Sequence, residues 1–214
     1  MVIKVLISFV SFNTFNLPPP DRYRDSFHLK KMISSEELIK QISNTIGKTK
    51  VLELSRILTE QHFALRDLID LTFDGDRDIA FRAAWILENI FLQDPTRYES
   101  ELEYMVSRIK EVTHASCKRH YAKIMMHITA KNTPATIKQK LQELDLEPVV
   151  EQCFDWMIDP KVLVAVKVFA SEALFNMRRR YPWIKEELAE QIRFLMRDGS
   201  TAIQTRGRKL LAQL

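Results

Sequence analysis

Along most of the chain apolar residues return every three to four positions, the spacing of an amphipathic helix and not the alternation of a strand. With Ile79 as origin, Ile79, Ala83, Ile86, Leu87 and Ile90 stand at offsets 0, 4, 7, 8 and 11 and form one apolar stripe. Phe81, Ala84, Trp85 and Leu92 form a second stripe on roughly the opposite side, which leaves Asp78, Arg82, Asn89 and Gln93 in a narrow polar strip. The pattern predicts a helix covered on two sides and open along one line. Arg82 occupies that line, with Asp78 one turn before it as a well-oriented partner. Its stem can also cover neighbouring apolar surface.

The same five-position template returns at Cys117, Tyr121, Ile124, Met125 and Ile128; at Val162, Val166, Phe169, Ala170 and Ala173; and at Ile203, Gly207, Leu210, Leu211 and Leu214. Successive origins lie 38, 45 and 41 residues apart, with Gly207 the poorest match. Before each of these helices lies another amphipathic segment, Phe63 to Phe73, Tyr98 to Val112, Leu146 to Ile158 and Trp183 to Met196. Each unit therefore reads as a helical hairpin, and the near-constant period reads as an internal repeat. Asp94-Pro95, Thr133-Pro134 and Asp159-Pro160 each put a capping side chain before a proline suited to the first helical position. "RDGST" from Arg197 to Thr201 reads as a turn with Gly199 available for a left-handed conformation. The 45-residue interval contains an additional short helix, "TPATIKQKLQEL". Long periodic segments and only four glycines in 214 residues make the fold all-α.

The acidic turn, arginine and alanine-rich helix of "DRDIAFRAAWIL", with the period near 40 residues, resemble the HEAT and armadillo-like repeat families. The resemblance covers about residues 34 to 214 and implies an α-α superhelix, a solenoid of about four to five hairpins whose second helices line a concave face. On that face the third template position contributes Arg82, His120, Ala165 and Arg206; Ala165 departs from the arginine of the first unit. Lys209 and Gln213 extend the last polar strip, and Asn89 and Gln93 extend the first. Arg82, His120, Arg206, Lys209, Asn89 and Gln93 are accordingly the candidate binding residues. Lys167, the one charge between Val162 and Ala170, reads as a lysine snorkelling to the surface.

Charge changes this picture a little. Residues 1 to 114 carry 15 basic and 17 acidic side chains and the remainder 17 and 11, so the halves stand at −2 and +6. The basic second half admits a polyanion partner. "RRRYPW", Arg178 to Trp183, is the densest basic cluster and lies at a hairpin junction. Cys117 and Cys153 fall within helical patterns and read as buried thiols of a reducing compartment. No stretch reaches the roughly 20 apolar residues that cross a bilayer, so the expected setting is cytoplasmic, with no membrane partner. Residues 1–31 differ in character, running from apolar "VIKVLISFVSF" into proline-rich sequence. They read as an extension to a single repeat domain over 32–214, with Met32 as an alternative start ahead of the Ser34/Glu37 capping box.

Reactive chemistry is harder to find. The turn "DGDRD" lacks the glycine and glutamate of a calcium loop, holding Ile79 and Trp85 at those positions, and reads as helix capping. His114, Cys117 and His120 are spread through about 120° of one helix, too wide for a single ion. No phosphate loop or nucleophile elbow occurs. No metal and no cofactor is therefore expected, and the leading reading is a non-catalytic scaffold that holds a protein or peptide on its concave face. The alternative is a nucleic-acid-binding relative of the DNA alkylation-repair glycosylases, which are built from HEAT-like helical pairs. Trp85, Trp156, Asp159 and Trp183 would then attend the damaged nucleotide, although the tryptophans also read as core residues.

Overall fold

The computed structural model describes residues 33–45, 47–61 and 63–214; the extension 1–31 and the alternative start at Met32 lie outside them. Ser34 accepts the Glu37 N–H on its hydroxyl at 3.3 Å and starts α1 (Ser35–Ser43). The return half of that capping box is not made, and the Glu37 carboxylate accepts from the Gln41 side chain. The chain continues through α2 (Gly47–Glu60), α3 (Leu65–Leu71) and α4 (Arg77–Gln93). Asp76 accepts from the N–H groups of Asp78 and Ile79, so the acidic turn does act as a helix cap. After a segment containing α5 (Leu102–Ser107) come α6 (Ala115–Ile128), the inserted α7 (Ala135–Glu143), α8 (Glu147–Ile158), α9 (Val164–Met177), α10 (Ile184–Met196) and α11 (Thr201–Leu211). The described residues are all-helical, as the periodicity requires.

The helices follow one another as five first-helix and second-helix units stacked in two layers. Second helices α2, α4, α6, α9 and α11 each pack on the next. The first-helix layer runs through α1, α3, the Pro95–Glu111 region, α8 and α10. One core extends from Leu38 to Leu210 between the layers, because a lone hairpin cannot bury both of its apolar faces. The arrangement is an α-α superhelix.

Three sequence expectations are corrected by local chemistry. The helix expected from Tyr98 to Val112 is broken into a 3-10 segment Pro95–Glu101, α5, and a 3-10 turn Ile109–Glu111. Tyr98 leaves helical geometry at φ −115°, ψ 22°, with its ring held between Phe63 and Phe91 at centroid distances of 6.4 Å. Side-chain anchoring here outweighs the continuous ladder. Gly199 is not left-handed: a Cβ there would stand 2.4 Å from the Leu195 carbonyl oxygen, so close backbone approach is what demands glycine. Of the three proline junctions only Asp94 caps, accepting from the Arg97 N–H; Thr133 donates to the His127 carbonyl behind it, and Asp159 closes a turn with the Lys161 N–H before α9 begins.

Candidate functional site

At 100° per residue, Phe81, Leu92, Trp85, Asp78, Asn89, Arg82 and Gln93 all fall within about 120° of the α4 circumference. The two strips separated in the sequence reading thus merge into one face of the second-helix layer. Phe81, Trp85 and Leu92 are half-buried on it, beside half-buried Asn89 and exposed Gln93. Leu52 and Arg56 of α2, Asn89, Leu92 and Gln93 of α4, and Lys123 of α6 line an open groove of about 500 Å³ there. Leu52 is 45% exposed, a large apolar side chain left facing solvent.

The side of α4 turned to α6 carries an ionic cluster that sequence reasoning missed. Glu88 is 7% exposed and His120 2%, and the His120 Nδ1 lies 2.7 Å from Glu88 Oε2. Lys123 donates to the other oxygen of the same carboxylate. Burial works against the Glu88 carboxylate, but the hydrogen bonds from His120 and Lys123 outweigh it and hold the group below its ordinary value. The imidazole is covered by Phe81 at 5.7 Å and stacked with Trp85 at 6.3 Å and 20°. Its Nε2 is buried without a partner among the described residues. A sign was present in the sequence: Glu88 falls within the Phe81/Ala84/Trp85 stripe, where a carboxylate requires a buried donor from the neighbouring helix.

The remaining candidates are dispersed along the layer. Arg82, with its side chain 19% exposed, donates from Nη1 to the Ser43 carbonyl at 2.7 Å and from Nη2 to Asp78 at 3.3 Å. It closes the carboxyl end of α1 while pairing along its own helix. Arg206 pairs with Glu172 of α9, and Lys209 is exposed on α11. Asn89 donates to the Trp85 carbonyl at 2.8 Å.

What Arg82 does recurs elsewhere in the molecule. Arg97 donates to the Thr59 carbonyl at 2.6 Å near the end of α2, and Arg180 to those of Leu141 and Leu144 at 2.5 Å at the end of α7. Lys167 does not snorkel: it is 8% exposed and donates to the Met157 carbonyl at 3.0 Å, at the end of α8. Helix ends leave carbonyls unpaired and partly negative, and cations from adjoining segments satisfy them. Arg82, Arg97, Arg180 and Lys167 therefore serve as staples between helices.

The tryptophans do not converge. Trp85 is half-buried on the second-helix layer, Trp156 is buried, and Trp183 is 45% exposed on the first-helix layer. Cys117 and Cys153 are buried and unpaired, and burial pushes each thiol up to about 12. Cys117 lies 3.4 Å from His114, whereas His120 turns to Glu88. No helix among the described residues is long and apolar enough to cross a membrane.

No curated protein and no solved structure matches the chain. The family model of the HEAT repeat domain matches residues 38–214, and within that span lie four complete hairpins, nearly all of a fifth and the whole second-helix face. The chain belongs to the HEAT repeat domain family.

Proposed function

We propose that this chain is a non-catalytic helical-repeat scaffold that holds a partner protein or peptide on its second-helix face, the concave side of arrays of this family. The groove across α2, α4 and α6 carries the reading: exposed Leu52 and half-buried Leu92 lie among Arg56, Gln93 and Lys123. Apolar anchors within a mixed polar rim are the composition of a protein interface. The engagement of Arg82 by Ser43 and Asp78, of Arg206 by Glu172 and of Lys123 by Glu88 supports it against a phosphate track, which requires cations free to release counterions. Two buried thiols without a disulfide are compatible with a reducing, cytoplasmic setting.

The test is a selection of peptides from a displayed random library on the immobilised protein, followed by titration of the enriched peptides against Leu52→Glu and Gln93→Glu variants. Peptides that lose about tenfold or more in affinity for these variants support the reading, since a charge placed among apolar anchors opposes docking. Enriched peptides indifferent to both variants would place binding elsewhere. Duplex and single-stranded DNA are titrated in parallel at two salt concentrations. Tight, salt-sensitive DNA binding abolished by Arg206→Ala with Lys209→Ala would replace the proposal by the nucleic-acid alternative.

A further inference from the structure

The first-helix layer presents a surface of opposite character. Phe154 and Ile158 of α8 and Trp183 at the start of α10 form an apolar platform bordered by Glu151, Asp155 and Glu187, the six enclosing an open groove of about 560 Å³. The Phe154 and Trp183 rings stack at 5.6 Å and 23°, which holds the indole in place, yet Trp183 is 45% and Ile158 59% exposed. Two large apolar side chains side by side in solvent are an unfavourable arrangement for a surface with nothing to cover it.

Charge identifies the covering. Glu147, Glu151 and Asp155 recur every fourth residue of α8, which sets their backbone positions about 6 Å apart along one edge of the platform. Glu187 of α10 faces the groove from the other side. Asp155 and Glu187 have no ion-pair partner among the described residues. Glu151 does have one: Lys110 reaches it at 2.5 Å, and this hydrogen bond, the Glu151 charge and the charges of Asp155 and Glu147 raise the ammonium above its ordinary value. The edge already holds a cation where the chain supplies one. Its carboxylates present like charge to phosphate and anionic lipid, and the rings beside them add the favourable face for a cation.

We infer that the α8–α10 platform docks a basic amphipathic helix of a partner protein. Its apolar side chains cover Ile158 and Trp183, and its lysines or arginines, spaced four residues apart, meet Asp155, Glu187 and the free part of the α8 edge. This site lies on the layer opposite the second-helix groove and stands independently of the function proposed for that groove.

The probe is a synthetic helical peptide of about 18 residues, leucine on one face and lysines at four-residue spacing on the other, with a glutamate-for-lysine version as its counterpart. Tryptophan emission is recorded during titration of the full chain; Trp183 is the most exposed of the three tryptophans and reports its own coverage. The lysine peptide should bind with a blue shift of that emission, and the glutamate peptide should not bind. Asp155→Lys and Glu187→Lys should each weaken binding about tenfold, while Glu53→Lys on α2, an equal change of net charge at an exposed site, leaves it unaltered. Circular dichroism of each variant separates lost binding from lost folding. The inference fails if the lysine peptide does not bind, if both peptides bind alike, or if Asp155→Lys and Glu187→Lys behave as Glu53→Lys does. Self-association of the free protein that Asp155→Lys abolishes would show a second copy as the occupant and equally overturn it.

Discussion

A helix end leaves carbonyl oxygens without intrahelical donors, and a guanidinium arriving from another segment removes that deficit with charge-assisted bonds. Arg82 does so for Ser43 while Asp78 steadies it from one turn away. Arg82→Met keeps most of the stem and removes the donors, and should cost about 1–2 kcal/mol in urea unfolding. Asp78→Ala should change stability by less than about 0.5 kcal/mol, since Asp78 is exposed and its pair is screened. Equal losses in the two variants would mean that the Ser43 bond is not the one that matters. Glu88 is a different case, a buried carboxylate shared by two donors. Its folded value lies below 4.5, so its contribution is complete above about pH 4.5 and is lost as pH falls through the folded value. Glu88→Gln, which weakens two charge-assisted bonds at a buried site, should lower stability by about 1–3 kcal/mol at pH 7. The gap from the unsubstituted protein should narrow as urea unfolding is repeated at successively lower pH below 4.5. A gap that is constant with pH would assign the loss to packing.

At the scale of the element, Gly207 shows why a sequence template can mislead. It is the weakest match to the apolar stripe, yet it is buried, and a Cβ there would stand 2.5 Å from the Met196 sulfur and 3.0 Å from Ile192 Cγ2. The missing side chain is what lets α11 settle on α10. Gly207→Val should cost about 2 kcal/mol through overpacking despite removing a glycine from a helix. In Gly207→Ala, a helix-propensity gain of about 1 kcal/mol offsets the displacement of a flexible methionine. Thermal unfolding of both variants checks the order: a Val variant as stable as the Ala one would deny the close approach. Helix existence was legible from Phe63 onward, because periodicity depends only on which side of a helix is buried, and even the inserted α7 was visible; α2 was not separated from the helix that Ser34 opens. Continuity of the third first helix was not legible, since Tyr98 and the Pro95–Glu101 turn answer to Phe91 near the end of α4 and to Phe63, far back in the sequence before α3. The candidate strip was legible as positions on α4 and, for Arg82, as the Asp78 pair within the same helix; partners on other helices were not. Nothing local to Arg82 announces the Ser43 carbonyl, and nothing local to His120 announces Glu88.

For the molecule as a whole the question is whether stacked hairpins unfold together or one by one. Repeat arrays hold together through interfaces between neighbours, and cooperativity lasts only while those interfaces exceed the differences in intrinsic stability between units. Here α9 packs on α6 of the preceding unit as well as on its own partner α8, so the third and fourth hairpins share one interior. That interior contains both cysteines, Cys117 on α6 and Cys153 on α8, buried and with thiols pushed up to about 12. A thiol so placed reacts with an alkylating reagent only when its surroundings open. Pulsed alkylation across a urea series, read by mass spectrometry, should therefore show Cys117 and Cys153 becoming reactive at one common midpoint that coincides with loss of helical circular dichroism. The alternative has a distinct signature. If Cys153 reacts in urea that leaves Cys117 protected, the α6–α9 interface is weaker than the difference between its units, and the array consists of separately folding pieces. A shared midpoint that Glu88→Gln lowers for both cysteines would show the α4–α6 ionic cluster stabilising a unit in which it has no atoms, the one containing Cys153, through nearest-neighbour stacking alone.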